Sequence, residues 1–125
     1  MQEHKQWLLF AKDDLMVAKT ILHSDYIVMG AICYHAQQCA EKALKAYLVY
    51  KQINPRRTHD LSDLIFECAG YDDDFLELVP DALEINPYSH RTRYPDSLLI
   101  LDLSIAQDAI NRAAKIFELV QNKID

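Results

Sequence analysis

The chain predicts an all-α fold, an antiparallel up-down four-helix bundle with an additional short, kinked helix. Three observations lead there. Apolar residues recur at three- and four-residue spacing over long stretches. No segment alternates apolar and polar residues long enough for a useful strand. The two glycines and four prolines punctuate the sequence at a few positions and leave the long periodic runs intact.

Trp7, Ala11, Leu15, Ala18 and Leu22 mark a first helix with one buried face, ending near His23 and Ser24. Asp25 is the expected N-cap of a second helix that runs to about Tyr50 or Lys51. On it, Ile32, Ala36, Ala40, Ala43 and Tyr47 form a stripe of mostly small side chains. Small residues let another helix approach closely, which makes this the central helix of the bundle. Ile53, Asn54 and Pro55 form a turn, because proline disfavours helix at the preceding residue. Thr58 is expected to cap a short third helix with Leu61, Leu64, Ile65 and Cys68 facing inward, and Gly70 to stop it.

A weaker fourth helix opens at Tyr71 to Asp74 and gathers around Phe75, Leu76, Val79, Leu83 and Ile85, with Pro80 expected to kink or split it. Asn86-Pro87 and Tyr94-Pro95 bracket a short polar loop. Ser104 to Gln107 reads as the capping box of the last helix, whose apolar face is Ala106, Ile110, Ala113, Phe117, Val120 and Ile124. Residues 98–101 are either an earlier turn of that helix or an extended lead-in.

With 125 residues and no break in composition, one domain over residues 1–125 is expected. A chain of this length buries roughly two-thirds of its unfolded surface and needs neither metal nor disulfide to fold. The net charge of −6 excludes a general nucleic-acid coat, so any phosphate site must be a local basic patch. The densest is His90 to Arg93, with Arg56 and Arg57 second. Two glycines are too few for a P-loop or dinucleotide-binding loop. Cys33, Cys39 and Cys68 are odd in number, widely spaced and in apolar helical context, which points to reduced buried thiols and a cytoplasmic protein. The first residues lack the apolar core of a signal peptide. No stretch reaches the roughly 18 apolar residues of a membrane span, so no membrane association is expected. His35 and Cys39 share a helix face, but a stable zinc site wants about four ligands. No CxxC or HxxxH pair completes one, so neither a metal site nor a cofactor is expected.

Two regions carry candidate chemistry. Gln37, Gln38, Glu41, Lys42 and Lys45 share the polar side of the second helix, which on periodicity alone reads as a solvated face with an i,i+4 Glu41–Lys45 pair. Residues 88–96 offer Arg91 and Arg93 for bidentate phosphate binding, His90 as an imidazole, and Tyr88 and Tyr94 as stacking aromatics, in a loop restrained by proline. The opposing reading pairs those arginines with surface carboxylates and packs the tyrosines on the bundle. His59 sits just inside the third helix, either as a structural anchor or as part of a small anion site with Arg56 and Arg57. The candidate nucleotide or RNA residues are therefore His90, Arg91, Arg93, Tyr94 and Tyr88, followed by Arg57, His59, Gln38 and Lys42. No catalytic residue is assigned.

The Gln-x-x-Glu-Lys-x-x-Lys pattern at Gln38, Glu41, Lys42 and Lys45, the run Arg57-Thr58-His59-Asp60-Leu61 and the segment Arg93-Tyr94-Pro95-Asp96 together resemble the HEPN domain family over nearly the whole chain. The chain is similar to small stand-alone members whose genes accompany a minimal nucleotidyltransferase. That resemblance implies a helical bundle acting as a nucleotide- or RNA-associated binding component. It further implies a homodimer that partners a minimal nucleotidyltransferase in a toxin–antitoxin-like two-component system. Apolar helical faces around Trp7 and residues 98–103 also point to self-association. The chain itself has no nucleotidyltransferase signature. The alternatives are a metal-independent ribonuclease and a structural dimerisation module. Ribonuclease members carry an arginine followed four to six residues later by a histidine. Arg56, Arg57, Arg91, Arg93 and Arg112 all lack that partner, and His90 instead precedes Arg91.

Overall fold

A computed structural model of the chain describes residues 1–89 and 102–124. Among the described residues there are five α-helices and no strand: α1 (Glu3–Leu22), α2 (Met29–Tyr50), α3 (Leu61–Ala69), α4 (Val79–Ile85) and α5 (Leu103–Lys123). Short 3₁₀ segments, Asp73–Leu78 and Asn86–Ser89, flank α4. The architecture is the expected antiparallel helical bundle. Its weight rests on α1, α2 and α5, and the two short helices close one side.

α2 is the hub, touching α1, α3, α4 and α5. Its small-residue stripe lies where the periodicity placed it: Ile32, Ala36, Ala40 and Ala43 are fully enclosed and Tyr47 nearly so. Ala11 and Ala18 of α1 and Ala106, Ala109 and Ala113 of α5 are buried too, so the long helices meet through methyl groups and can pack closely. Larger side chains fill the end toward α3 and α4, where Leu44, Leu48, Leu64, Ile65, Phe75 and Ile85 are all buried. There the Tyr47 and Phe75 rings lie 4.5 Å apart between centroids. The three cysteines are buried in this core as free thiols. Burial pushes Cys33 up to about 11 and Cys39 up to about 12, and raises Cys68 further.

Helix boundaries depart from the sequence expectations in a consistent way. α2 starts at Met29 after Val28 and has no side-chain cap, so Asp25 does not serve it. At α3 the cap is Asp60, whose side chain accepts from the Ser62 amide at 2.8 Å. Thr58 instead uses its hydroxyl to accept from the Asp60 amide, and His59 lies before the helix. At α5 the cap is Asp102, which accepts from the Ile105 amide at 2.9 Å and from the Ser104 hydroxyl at 2.8 Å. Ser104 is therefore a donor inside the first turn. Pro80 divides the fourth helical region as expected: 3₁₀ backbone precedes it and α4 begins with proline in its first turn. Gly70 ends α3, but with φ of −61° it adopts a conformation open to any residue.

The chain reverses tightly at Gln52, which has φ of 64°. The Ile53 amide donates to the Leu48 carbonyl at 2.9 Å and the Gln52 amide to the Val49 carbonyl at 2.8 Å. This pair of bonds is a Schellman closure with glutamine in the left-handed position that glycine normally takes. Replacing Gln52 by glycine relieves that strain against a loss of unfolded-state order. Gln52→Gly should stabilise the fold by up to about 1 kcal/mol in chemical denaturation, and a destabilised variant would show that the glutamine side chain holds the turn.

The Asp102 carboxyl is held below its ordinary range, first by the Ile105 amide and then by Ser104. A depressed carboxyl contributes stability above its unfolded pKa and loses it as pH falls through the folded value. The α5 cap should hold through neutral pH and loosen below about pH 4. Asp102→Asn, which keeps an acceptor without a titrating proton, should flatten the acid limb of melting temperature against pH. An unchanged acid limb would place the sensitivity elsewhere.

Candidate functional site

α2 is packed on most sides, so its polar residues cannot all reach water. Gln37 is fully buried and Glu41 is 4% exposed, which corrects the solvated-face reading. A buried carboxylate must collect donors from the protein. Glu41 accepts from Lys45 Nζ at 3.0 Å, from His59 Nδ1 at 3.0 Å and from Gln37 Nε2 at 3.3 Å. Gln37 Nε2 also donates to the His59 carbonyl at 3.1 Å, and Gln38 Nε2 donates to Gln37 Oε1 at 2.8 Å. An ionised carboxylate only accepts, so the contact to Glu41 places the His59 proton on Nδ1 and leaves Nε2 as the other ring nitrogen. The His59 side chain is 70% exposed. The expected i,i+4 pair of Glu41 and Lys45 exists, but as an interior pair that also locks the start of α3 to the centre of α2.

That lock fixes the loop ahead of α3. Its far end is set by the Schellman closure at Gln52 and Ile53, and its near end by the two bonds from α2 to His59. Asn86 adds a third tie, accepting from the Leu61 amide at 2.8 Å and donating to the Asp60 carboxylate at 3.2 Å. The loop runs beside the first turns of α1 and leaves a cleft of about 170 Å³ lined by Glu3, Trp7, Lys45, Asn54, Pro55, Arg56 and Arg57. Lys45 Nζ lies 6.0 Å from the centre of the Trp7 ring.

Other buried carboxylates serve as clasps between helices. Asp14 of α1 accepts from His35 Nδ1 at 2.8 Å and from Lys42 Nζ at 2.6 Å. Asp81 of α4 faces Arg112 Nη1 at 3.2 Å and Lys115 Nζ at 3.2 Å on α5. Lys123 pairs with Asp72 and Asp74, and this raises the Lys123 ammonium and lowers the Asp72 carboxyl.

The sequence candidates therefore separate. His90, Arg91, Arg93 and Tyr94 lie outside the described residues, as does the 98–101 segment. Tyr88 is 9% exposed, and burial pushes its hydroxyl up. Gln38 and Lys42 are partly buried and already paired, Gln38 with Gln37 and Lys42 with Asp14. Arg57 lines the cleft and His59 sits two residues beyond it, tied to Glu41. Trp7, which spacing put on the buried face of the first helix and whose surroundings were also expected to self-associate, is half-buried against the core and forms one wall of the cleft. Nothing local marks Trp7 and Lys45 as ligand-facing residues, because their meeting with Arg56 and Arg57 spans most of the first half of the chain.

An antiparallel bundle whose central helix carries a Gln-x-x-Glu-Lys-x-x-Lys run and ties its buried Glu41 to a histidine before α3 defines a specific class of small helical domain. The HEPN domain family model matches residues 4–123, and the chain belongs to that family. It is 32% identical over 99 residues to the Methanocaldococcus jannaschii protein named "Putative toxin MJ1304", a match covering 74% of this chain and 63% of that protein, so the chain spans less than two-thirds of that relative. The fold superposes on the crystal structure of TT1696 from Thermus thermophilus with a TM-score of 0.86 at 29% identity, covering 99% of this chain and all of that one. It also superposes on ST0689, an archaeal HEPN homologue, with a TM-score of 0.79 at 26% identity over both full chains.

Removing the Glu41 carboxylate leaves Lys45 as a largely enclosed cation without its partner. Glu41→Ala should destabilise the protein by about 3 kcal/mol in chemical denaturation. His59→Ala, at an exposed ring, should cost about 1 kcal/mol. If the two costs were equal, the histidine rather than the lysine would be the principal partner of Glu41.

Proposed function

We propose that the protein is the HEPN member of a toxin–antitoxin-like two-component system, homodimeric alone, cytoplasmic, and associated with nucleotide or RNA through a minimal nucleotidyltransferase partner. The similarity to a protein named as a toxin, extending over 74% of this chain, is the observation that carries this reading. Three buried free thiols fit a reducing compartment. Self-association is supported by α1, where Leu9, Phe10, Met16 and Val17 are each 40–52% exposed. Helical spacing puts these residues close together on the outer side of α1, an apolar surface of the kind that a second protomer covers.

A second reading, metal-independent RNA cleavage, is favoured by one feature. His59 is oriented through Nδ1 by a buried carboxylate, as a general base requires, and follows two arginines closely in sequence.

Expression of the protein alone in a bacterial host should slow growth. Co-expression with a minimal nucleotidyltransferase from the same genome should relieve the effect, and the two proteins should co-elute. The protein purified alone should scatter light as a dimer, and Phe10→Glu with Val17→Glu should reduce it to a monomer. Absence of both growth effect and co-elution would remove the two-component reading. A monomer mass at micromolar concentration would remove the dimer. Cleavage of RNA in chelator that is lost in His59→Ala would replace the binding role with the ribonuclease role.

A further inference from the structure

We propose that the cleft between the first turns of α1 and the loop before α3 binds a nucleoside monophosphate group, either free or as the phosphorylated end of an RNA strand. Arg56 and Arg57 hold the phosphate, and Trp7 lies against the base. This deepens the nucleotide-associated reading above by assigning it a place and a ligand chemistry.

The placement of cations is the first ground. Acidic residues outnumber basic ones, 19 to 13. Lys42, Lys45, Arg112, Lys115 and Lys123 sit against carboxylates, and Lys5, Lys12, Lys19 and Lys51 form no ion pair among the described residues. Arg56 and Arg57 are exposed, adjacent and directed to one cleft, and neither forms an ion pair among the described residues. A guanidinium presents a planar fork of donors that matches phosphate oxygens, and two of them from one loop can divide a single phosphoryl group.

The loop is set before any ligand arrives. Pro55 restrains its backbone, the Thr58 amide donates to the Arg56 carbonyl at 2.9 Å, and its ends are held at Gln52 and His59. Little freedom is lost when a ligand is gripped by a loop fixed in this way.

The remaining lining selects among anions. Trp7 supplies an aromatic wall of the kind nucleic-acid bases pack on, which inorganic anions cannot use. Lys45 is already committed to Glu41, so the charge open to a ligand is that of two guanidiniums opposed by Glu3. That balance suits one phosphoryl group of about −1.5 to −2 and opposes a polyphosphate tail. The cleft volume of about 170 Å³ admits one phosphoryl group and part of one base.

The protein contains a single tryptophan, so its fluorescence reports on this wall directly. Titration of the purified protein with AMP should quench Trp7 saturably. Adenosine and inorganic phosphate should each bind at least about tenfold more weakly, since each lacks half of the recognised chemistry. Arg56→Ala with Arg57→Ala should weaken AMP by at least about tenfold without moving the melting temperature, because the changes lie on an exposed loop. Glu3→Gln should tighten AMP and admit ADP, a test that stands even if the arginine variant fails to fold. A tetraribonucleotide with a 5′-phosphate that binds as well as AMP, while its 5′-hydroxyl form does not, would identify an RNA end. AMP binding without oligonucleotide binding would identify a free nucleotide. Non-saturating quenching, equal binding of AMP and adenosine, or a Glu3→Gln variant with unchanged affinity would overturn the site. AMP binding in a protein that neither arrests growth nor co-elutes with a nucleotidyltransferase would retain the cleft and discard the two-component reading.

Discussion

A helix packed on most of its sides has little solvated surface to give its polar residues, and α2 is such a helix. Its alanines let α1 and α5 approach closely, and Gln37 and Glu41 are buried on it as well. A carboxylate in that position is tolerable only when charged or polar donors surround it. Lys45, His59 and Gln37 meet that need. Two of the donors come from α2 itself. The third is brought from outside, so the requirement set by the centre of the bundle dictates where the chain must pass before α3 begins.

From that constraint the surrounding loop follows. With His59 pinned and α2 closed at Gln52, residues 53–58 have few paths available, and they run beside Glu3 and Trp7. The left-handed glutamine is the strained element in this arrangement. It turns the chain back at once after α2, where a longer connection would carry Arg56 and Arg57 away from Trp7. A buried polar interaction thereby places two exposed cations.

The helical faces were legible because they depend on local periodicity. Ile32, Ala36, Ala40, Ala43 and Tyr47 on α2, and Ala106, Ile110, Ala113, Phe117 and Val120 on α5, are buried as spacing requires. The caps were less legible. Around α3 and α5, threonine or serine stands near an aspartate that is equally able to cap. The aspartate accepts the helix amide in both cases, while Thr58 and Ser104 form shorter-range bonds around it. The polar face of α2 reads wrongly from sequence because periodicity says which residues share a side and not what covers it. Arg56 and Arg57 were legible as a local basic pair, but the cleft they line was not, since residues 3–7 and 54–57 meet only after the bundle has formed.

The overall charge sharpens what such a cleft can accept. At physiological ionic strength a charge is felt over roughly 8 Å, so a ligand within the cleft experiences its walls far more than the distant carboxylates. A polyanion running across the surface would meet those carboxylates along its length and be repelled. A single phosphate inserted between Arg56 and Arg57 escapes most of that repulsion. An acidic protein can therefore associate with one nucleotide, or with the end of a strand, while discriminating against the body of the same strand. Arg56 and Arg57 differ from the unpaired lysines Lys5, Lys12, Lys19 and Lys51 in standing next to each other in sequence at a cleft with an aromatic wall.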